Sequence, residues 1–250
     1  MKNMDAKRHC ENCQSLLHGR YCSRCGQDCT SPIKPVRQAL IDAVADILSF
    51  DSRILKSLKV LCQPGRLPAR YVGGERVGHV PPFRMALSVS LVLFLVVTLV
   101  LPDYGEPTAQ SGLAADLSFV AREHALALVL AQLLTLPPLA LLLGLLYRRR
   151  HLLFLAHLGF TFYYHAAFNF VLIGLFAASP VLPTETLGYL TLSALFVVLG
   201  PYLFFALKAF YRAGFVHTLL SWPLLALSHL ALMVLSFLAV VGIFAWIPAW

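Results

Sequence analysis

Charge is scarce in these 250 residues: 13% are Asp, Glu, Lys or Arg, against about 25% in globular chains. Hydrophobic residues make up 58%, and the mean hydropathy is +0.73. A water-soluble fold has too little interior for that much apolar surface, so secreted enzymes, disordered tails and ordinary cytosolic domains are excluded. Carboxylates are the rarer charges. Only twelve occur, and none falls inside the long apolar stretches that follow Arg84, which argues against carboxylate-driven ion coupling, two-metal hydrolysis and aspartyl intramembrane proteolysis. Also missing are a phosphate-cradling glycine loop, a serine nucleophile elbow and a zincin His-Glu-x-x-His. Gly73-Gly74-Glu75-Arg76 is too short for a nucleotide motif and reads as a turn. Residues 1–30 hold charges and cysteines without the apolar core of a signal peptide.

What is present is a series of apolar stretches bounded by charge or proline. A helix crosses about 30 Å of hydrocarbon with about 20 residues, which predicts five spans near Pro82–Leu101, His124–Tyr147, Leu152–Ala177, Leu187–Leu207 and Leu219–Ile243. Arg84 at the mouth of the first and Pro137-Pro138 inside the second are the features that would change this count. The connections alternate in sign. Arg148, Arg149, Arg150, Lys208 and Arg212 lie in the second and fourth, whereas Asp103, Glu106, Asp116, Glu123 and Glu185 lie in the first and third with Arg122 as their only cation. Fourteen further basic residues lie within residues 1–84, up to the mouth of the first span. Basic loops stay in the cytoplasm, so the N-terminus is expected there and Trp250 on the periplasmic side. Tyr104, Tyr147, Tyr211, Trp222, Trp246 and Trp250 fall near the expected interfaces, where amphipathic rings are favoured.

Five of the six cysteines occur in the first 29 residues, as Cys10-Glu-Asn-Cys13, Cys22-Ser-Arg-Cys25-Gly26 and Cys29. A two-residue gap lets a tight turn aim both sulfurs of a pair at one point, and a tetrahedral Zn²⁺ takes four thiolates. Cys10, Cys13, Cys22 and Cys25 are therefore the expected structural zinc ligands of a small ribbon that folds on metal binding. Gly26 suits the turn after the second pair; Gln14 stands at the equivalent place in the first. A redox dithiol or disulfides are the competing readings, the latter disfavoured in a reducing cytoplasm. Cys29 is a spare thiol or a substitute ligand, with His9 and His18 weaker candidates. Cys62 reads as a small packed hydrophobe on a helix face.

Apolar residues recur at helical spacing from Val36 to Leu61, with Asp, Lys and Arg on the other face. Asp51 can cap a second helix that begins near Ser52. This segment either lies along the inner leaflet with Arg53, Lys56 and Lys59 toward anionic headgroups, or packs its stripe on the cytoplasmic ends of the spans. Pro64-Gly65 and Gly73-Gly74 then break the helix and hold a compact basic loop before Pro81-Pro82-Phe83-Arg84. The order of ribbon, amphipathic stretch, Leu61-x-x-Pro64-Gly65, Tyr71-x-x-Gly74-x-Arg76, Pro82-Phe83 entry and several spans resembles an uncharacterised family of bacterial membrane proteins known only as a domain of unknown function. His151-Leu-Leu-Phe154-Leu-Ala-His157 and Leu207-Lys208-Ala-Phe-Tyr211 extend the resemblance. It implies a bacterial inner-membrane protein and carries no activity.

The expected fold is thus all-α: a cytoplasmic zinc ribbon (1–33), amphipathic juxtamembrane helices with a basic loop (34–81) and a polytopic helical membrane bundle (82–250). Within the third span His157, Thr161, His165 and Asn169 recur every four residues and share one stripe. Gln132, Gly200-Pro201 and Ser228-His229 lie at comparable depth in other spans. Two readings stand side by side: a mid-membrane pocket for a small molecule, a proton or a metal, and hydrogen bonds that join helix to helix. Arg70, Tyr71, Arg76 and Arg84 are candidate contacts to lipid headgroups or to a partner. The leading functional expectation is a non-enzymatic regulator or adaptor whose ribbon meets a cytoplasmic protein. A transporter or lipid-handling protein with a His/Asn pocket comes second and an intramembrane enzyme third. Nucleic-acid binding comes last, because the positive-inside bias already accounts for the basic charge.

Overall fold

Long apolar helices dominate the computed structural model, which describes residues 9–29, 52–101, 120 and 122–246. After the cysteine head come two short helices, α1 (Ser52–Leu61) and α2 (Arg66–Val72). The long helices are α3 (Pro82–Leu99), α4 (Ala125–Leu146), α5 (Phe154–Ala177), α6 (Thr184–Val197) and α8 (Phe215–Trp246). A π-helical turn at Val198–Tyr202 joins α6 to α7 (Leu203–Tyr211), so the two make one crossing. Five stretches are long and apolar enough to cross a membrane: Pro82–Leu99, Ala125–Leu146, Phe154–Val181, Glu185–Tyr211 and Phe215–Ile243. The chain is an all-α, multi-pass membrane protein, with its spans within a few residues of those read from the sequence. The stripe from Val36 to Leu48, Asp51 as a cap, residues 102–119 of the first connection and Trp250 lie outside the described residues.

Pro137 and Pro138 do not divide the second span; α4 runs unbroken through both. A proline's φ is already helical, and neighbouring helices compensate the bonds it removes. The break falls instead at Gly200, where φ −85° and ψ −107° leave the helical region immediately before Pro201. Short connections make sequential spans antiparallel. α3 packs most extensively on α5, and α8 on α4. Arg150 Nη2 donates to the carbonyl of Arg212 at 2.8 Å, so the two basic connections meet at one end of the bundle. The segment before the first span is seated at that same end.

That seating decides between the two sequence readings for the described part of the juxtamembrane segment. α1 and α2 pack on the bundle, where Leu61, Leu67 and Val80 form a core with Met85, Val89, Tyr163, Ala166 and Ala167. Polar groups lock it. The Tyr202 hydroxyl donates to the Leu61 carbonyl (2.9 Å), the Tyr163 hydroxyl donates to the Val80 carbonyl (2.6 Å), and the Val80 amide donates to Ser57 Oγ (3.0 Å). Cys62 departs from expectation: it follows α1 on the outward side and is exposed, because the helix turns its Leu58–Leu61 edge to the bundle.

Gly65 is the tightest point of this junction. Its φ of +71° belongs to the left-handed region, and a β-carbon there would strike the backbone carbonyl of Ala206. Gly65→Ala is therefore expected to cost about 2 kcal/mol or more, read as a fall in the apparent melting temperature of the detergent-solubilised protein. Gly174→Ala, within α5 and with open space around the new carbon, is expected to leave it unchanged or raise it slightly. Equal behaviour of the two variants would refute the close contact.

Candidate metal centre and its seat on the bundle

The head is built from two copies of one turn. In the first, the amide of Gln14 bonds the carbonyl of Cys10 (2.8 Å) and the amide of Cys10 bonds the carbonyl of Ser15 (2.8 Å). In the second, the amide of Gly26 bonds the carbonyl of Cys22 (2.8 Å) and that of Cys22 bonds the carbonyl of Gln27 (2.9 Å). Each turn is closed by an antiparallel bridge, His9 to Leu16 and Tyr21 to Asp28. Gly26 (φ 73°) and Gln14 (φ 60°) take the same left-handed conformation. The first knuckle therefore keeps the geometry of the second without its glycine.

Folding the two turns together brings four sulfurs to one point. Cys10, Cys13, Cys22 and Cys25 have all their Sγ atoms within 4.8 Å of one another, with cross-knuckle pairs Cys10–Cys25 at 3.6 Å and Cys13–Cys22 at 3.5 Å. Zinc–thiolate bonds of about 2.3 Å in a tetrahedron require sulfur–sulfur edges of about 3.8 Å, so the four residues fit a single tetrahedral ion. All are free thiols. The Ser15 hydroxyl, 2.8 Å from Cys13 Sγ, holds that thiol down at about 6. Backbone amides, that of Cys25 first, hold Cys22 below its ordinary value, while burial pushes Cys25 up to about 11 and Cys29 upward. A divalent ion held by these four cysteines would supply the charge that draws off the remaining protons. Cys29 donates to the Gln27 carbonyl (3.3 Å) and stands outside the set.

The head is fixed to the bundle by one residue that sequence reading did not single out. Gln27 is buried; its Nε2 donates to the Gly74 carbonyl (2.9 Å) and its Oε1 accepts from the Arg76 amide (3.3 Å). One side-chain amide thus reproduces both halves of a strand pairing on the Gly73-Gly74 turn. A β-carbon on Gly74 (φ +103°) would run into the Glu11 side chain, so the turn needs glycine both for its backbone and for the approach of the head. Of the other candidates here, Arg70 Nε lies 3.8 Å from Glu75 Oε2, Tyr71 sets its ring edge against Tyr163 (5.9 Å), Arg76 is half-buried, and Arg84 is buried.

Inside the bundle, His157, Thr161, His165 and Asn169 are all buried along one face of α5. They divide among different neighbours. His165 Nε2 meets Ser90 Oγ of α3 (3.2 Å) and Asn169 Nδ2 (3.0 Å), and Asn169 Nδ2 also donates to Ser90 Oγ (3.2 Å). A nucleophile, base and orienting group would engage opposite ring nitrogens; here one nitrogen takes both contacts, so the arrangement is a polar clamp between α3 and α5. His157 Nδ1 pairs with the Tyr211 hydroxyl of α7 (2.8 Å), the Tyr211 ring stacks on Tyr147 (3.9 Å), and the Tyr147 hydroxyl bonds Ser221 Oγ of α8 (2.7 Å). Thr161 closes on the Leu158 carbonyl within its own helix (2.9 Å). His229 lies edge-on to Tyr164 and Phe168, beside a cavity with room for about one water molecule. Its Nδ1, the Tyr164 hydroxyl, Gln132 Oε1 and Asn169 Oδ1 are buried without a hydrogen-bond partner among the described residues. Among those residues, His157, His165 and His229 do not gather into a metal-holding group; the four cysteines do.

Residues 51–94 match the model of a family described as "Protein of unknown function (DUF3667)". No curated protein and no solved structure matches the chain. The matched stretch is the part gripped from both sides: it contains α1, α2, Gly65, the Gly73-Gly74 turn that receives Gln27, and Ser90. Ser90, Tyr163 and Tyr202 escaped sequence reading because a hydroxyl within an apolar run carries no periodic signal. Gln27 offered one weak cue, its place two residues beyond Cys25.

Three outcomes are expected. Purified protein carries about one zinc per chain, lost in Cys10→Ser with Cys25→Ser, and a metal-free wild-type head would refute the centre. Gln27→Leu keeps its zinc but frees the head, read as faster protease cleavage after Arg24 at unchanged metal content. His157→Phe and Tyr211→Phe each cost about 1 kcal/mol, and a double-mutant cycle gives a coupling of about 0.6–2 kcal/mol; strict additivity would show that the two side chains do not bond.

Proposed function

We propose that this protein is a non-enzymatic regulator or adaptor of the bacterial inner membrane, presenting a zinc-loaded ribbon on the cytoplasmic face to a protein partner. The observation that carries this reading is the seat made by Gln27: the head is held in a defined position on the basic end of the bundle. A fixed platform pre-pays the orientational cost of docking a partner. Tyr21 remains 58% exposed on the seated ribbon, with the Arg20 guanidinium over its ring at 5.2 Å and Arg24 and His18 exposed nearby in sequence. Exposed aromatic and arginine side chains are the usual anchors of protein contacts. Zinc suits the site because four thiolates in tetrahedral array select it among the common divalent ions. Basic loops favour the cytoplasmic side, which supports a ribbon inside and the end of the fifth span in the periplasm.

A second reading, transport or lipid handling, is favoured by one observation: the buried Nδ1 of His229, hydroxyl of Tyr164 and Oδ1 of Asn169 have polar capacity to spare. The two readings separate in cells. A photo-crosslinker at Tyr21 is expected to capture one defined cytoplasmic protein, with capture lost in Cys10→Ser and kept in His165→Ala. Failure of capture, together with loss of knockout rescue in His165→Ala at unchanged protein level, would replace the adaptor reading with the pocket reading.

A further inference from the structure

Both basic connections end in the same irregular way, and together they form a surface that the adaptor reading does not use. Arg148–Arg150 is a 3₁₀ turn with all three side chains exposed, and it is capped by His151 in the left-handed conformation (φ 50°). The second connection passes through Arg212, also left-handed (φ 49°). Arg150 ties the two by its bond to the Arg212 carbonyl, so cations from separate hairpins gather on one edge. No carboxylate occurs in the sequence between Glu123 and Glu185 or after Glu185, and among the described residues none pairs with Arg148, Arg149 or Arg212.

A further feature points to what this edge receives. Next to the cations the helices turn apolar and outward: Leu153 is 66%, Phe215 57% and Val216 68% exposed. Arginine guanidinium groups select phosphate oxygens, and an exposed apolar wall immediately beside them suits acyl chains.

We propose that the Arg148–Arg150 turn and Arg212 form a binding site for the phosphate headgroup of an anionic phospholipid, whose chains lie along the Leu153 and Phe215–Val216 surface. The positive-inside bias asks only for cations on one side; it does not ask that two connections be tied together through Arg150 and the Arg212 carbonyl beside exposed leucine, phenylalanine and valine. The site is independent of the ribbon and of any partner that the ribbon meets.

Native mass spectrometry of the full-length protein in detergent tests this, with phosphatidylglycerol, phosphatidylcholine and inorganic phosphate as probes. Phosphatidylglycerol adducts are expected to exceed phosphatidylcholine adducts by about twenty-five-fold, since Arg148 and Arg149 each contribute about fivefold near an anionic group. The preference is expected to vanish in Arg148→Gln with Arg149→Gln, a variant that keeps the Arg150–Arg212 bond. Lys56→Gln with Lys59→Gln, on α1, is expected to keep the preference, and thiol labelling at the exposed Cys62 checks that both variants insert in the wild-type orientation. A preference that survives in the Arg148/Arg149 variant, or equal adducts of the two lipids, overturns the site. Displacement of phosphatidylglycerol by millimolar inorganic phosphate would show a free-anion site and overturn the lipid assignment.

Discussion

Two tyrosine hydroxyls, on Tyr163 and Tyr202, reach from the apolar bundle to the carbonyls of Val80 and Leu61, and the seating of the described residues before the first span depends on them. A carbonyl at the border of the hydrocarbon that finds neither water nor a donor is costly. Tyrosine answers with an apolar ring that packs in the bundle and a polar tip that leaves it. Once α1 and the 73–80 loop are pinned in this way, Gly65 can lie on the Ala206 carbonyl and Gln27 can bring the head down on Gly74 and Arg76. The cysteine head is too small for a core of its own, so its orientation is borrowed from the helices below.

The spans were legible because hydrocarbon imposes a length and a composition that no other surroundings ask for, and the cysteine cluster because thiolate spacing is a local constraint. Gln27 was not legible. Its partners are backbone atoms of Gly74 and Arg76, 47 and 49 residues away, and no pattern in the sequence marks a backbone acceptor. Cys62 misled for a related reason: it follows an apolar stripe closely enough to look like part of it, but its helix ends first. Gln14 shows the reverse, a residue of the less favoured type that still adopts the left-handed turn because both flanking hydrogen bonds hold it there.

The polar stripe of α5 became interpretable only when its partners were placed. The spacing of His157, His165 and Asn169 put them on one face, yet the structure sends them to different helices, Asn169 and His165 to Ser90 and His157 to Tyr211. The last pair has added meaning. His157 and Tyr211 close the two short stretches that carried the family resemblance into the bundle, and they bond to one another across two spans. Packing among identical apolar surfaces has little directional preference, so such a bond fixes which helix faces which.

The wide turn at Val198–Tyr202 separates the fourth crossing into halves with different obligations. α7 buries Leu203, Ala206, Leu207, Phe210 and Tyr211, whereas α6 leaves Tyr189 and Phe196 largely uncovered. A π turn accommodates one residue more than a regular helix would, and each residue of offset rotates the downstream helix by about 100°. The turn therefore works as a phase adjuster: it sets which faces of α7 meet the bundle independently of α6, so Ala206 can lie against Gly65 while Tyr189 and Phe196 stay outward.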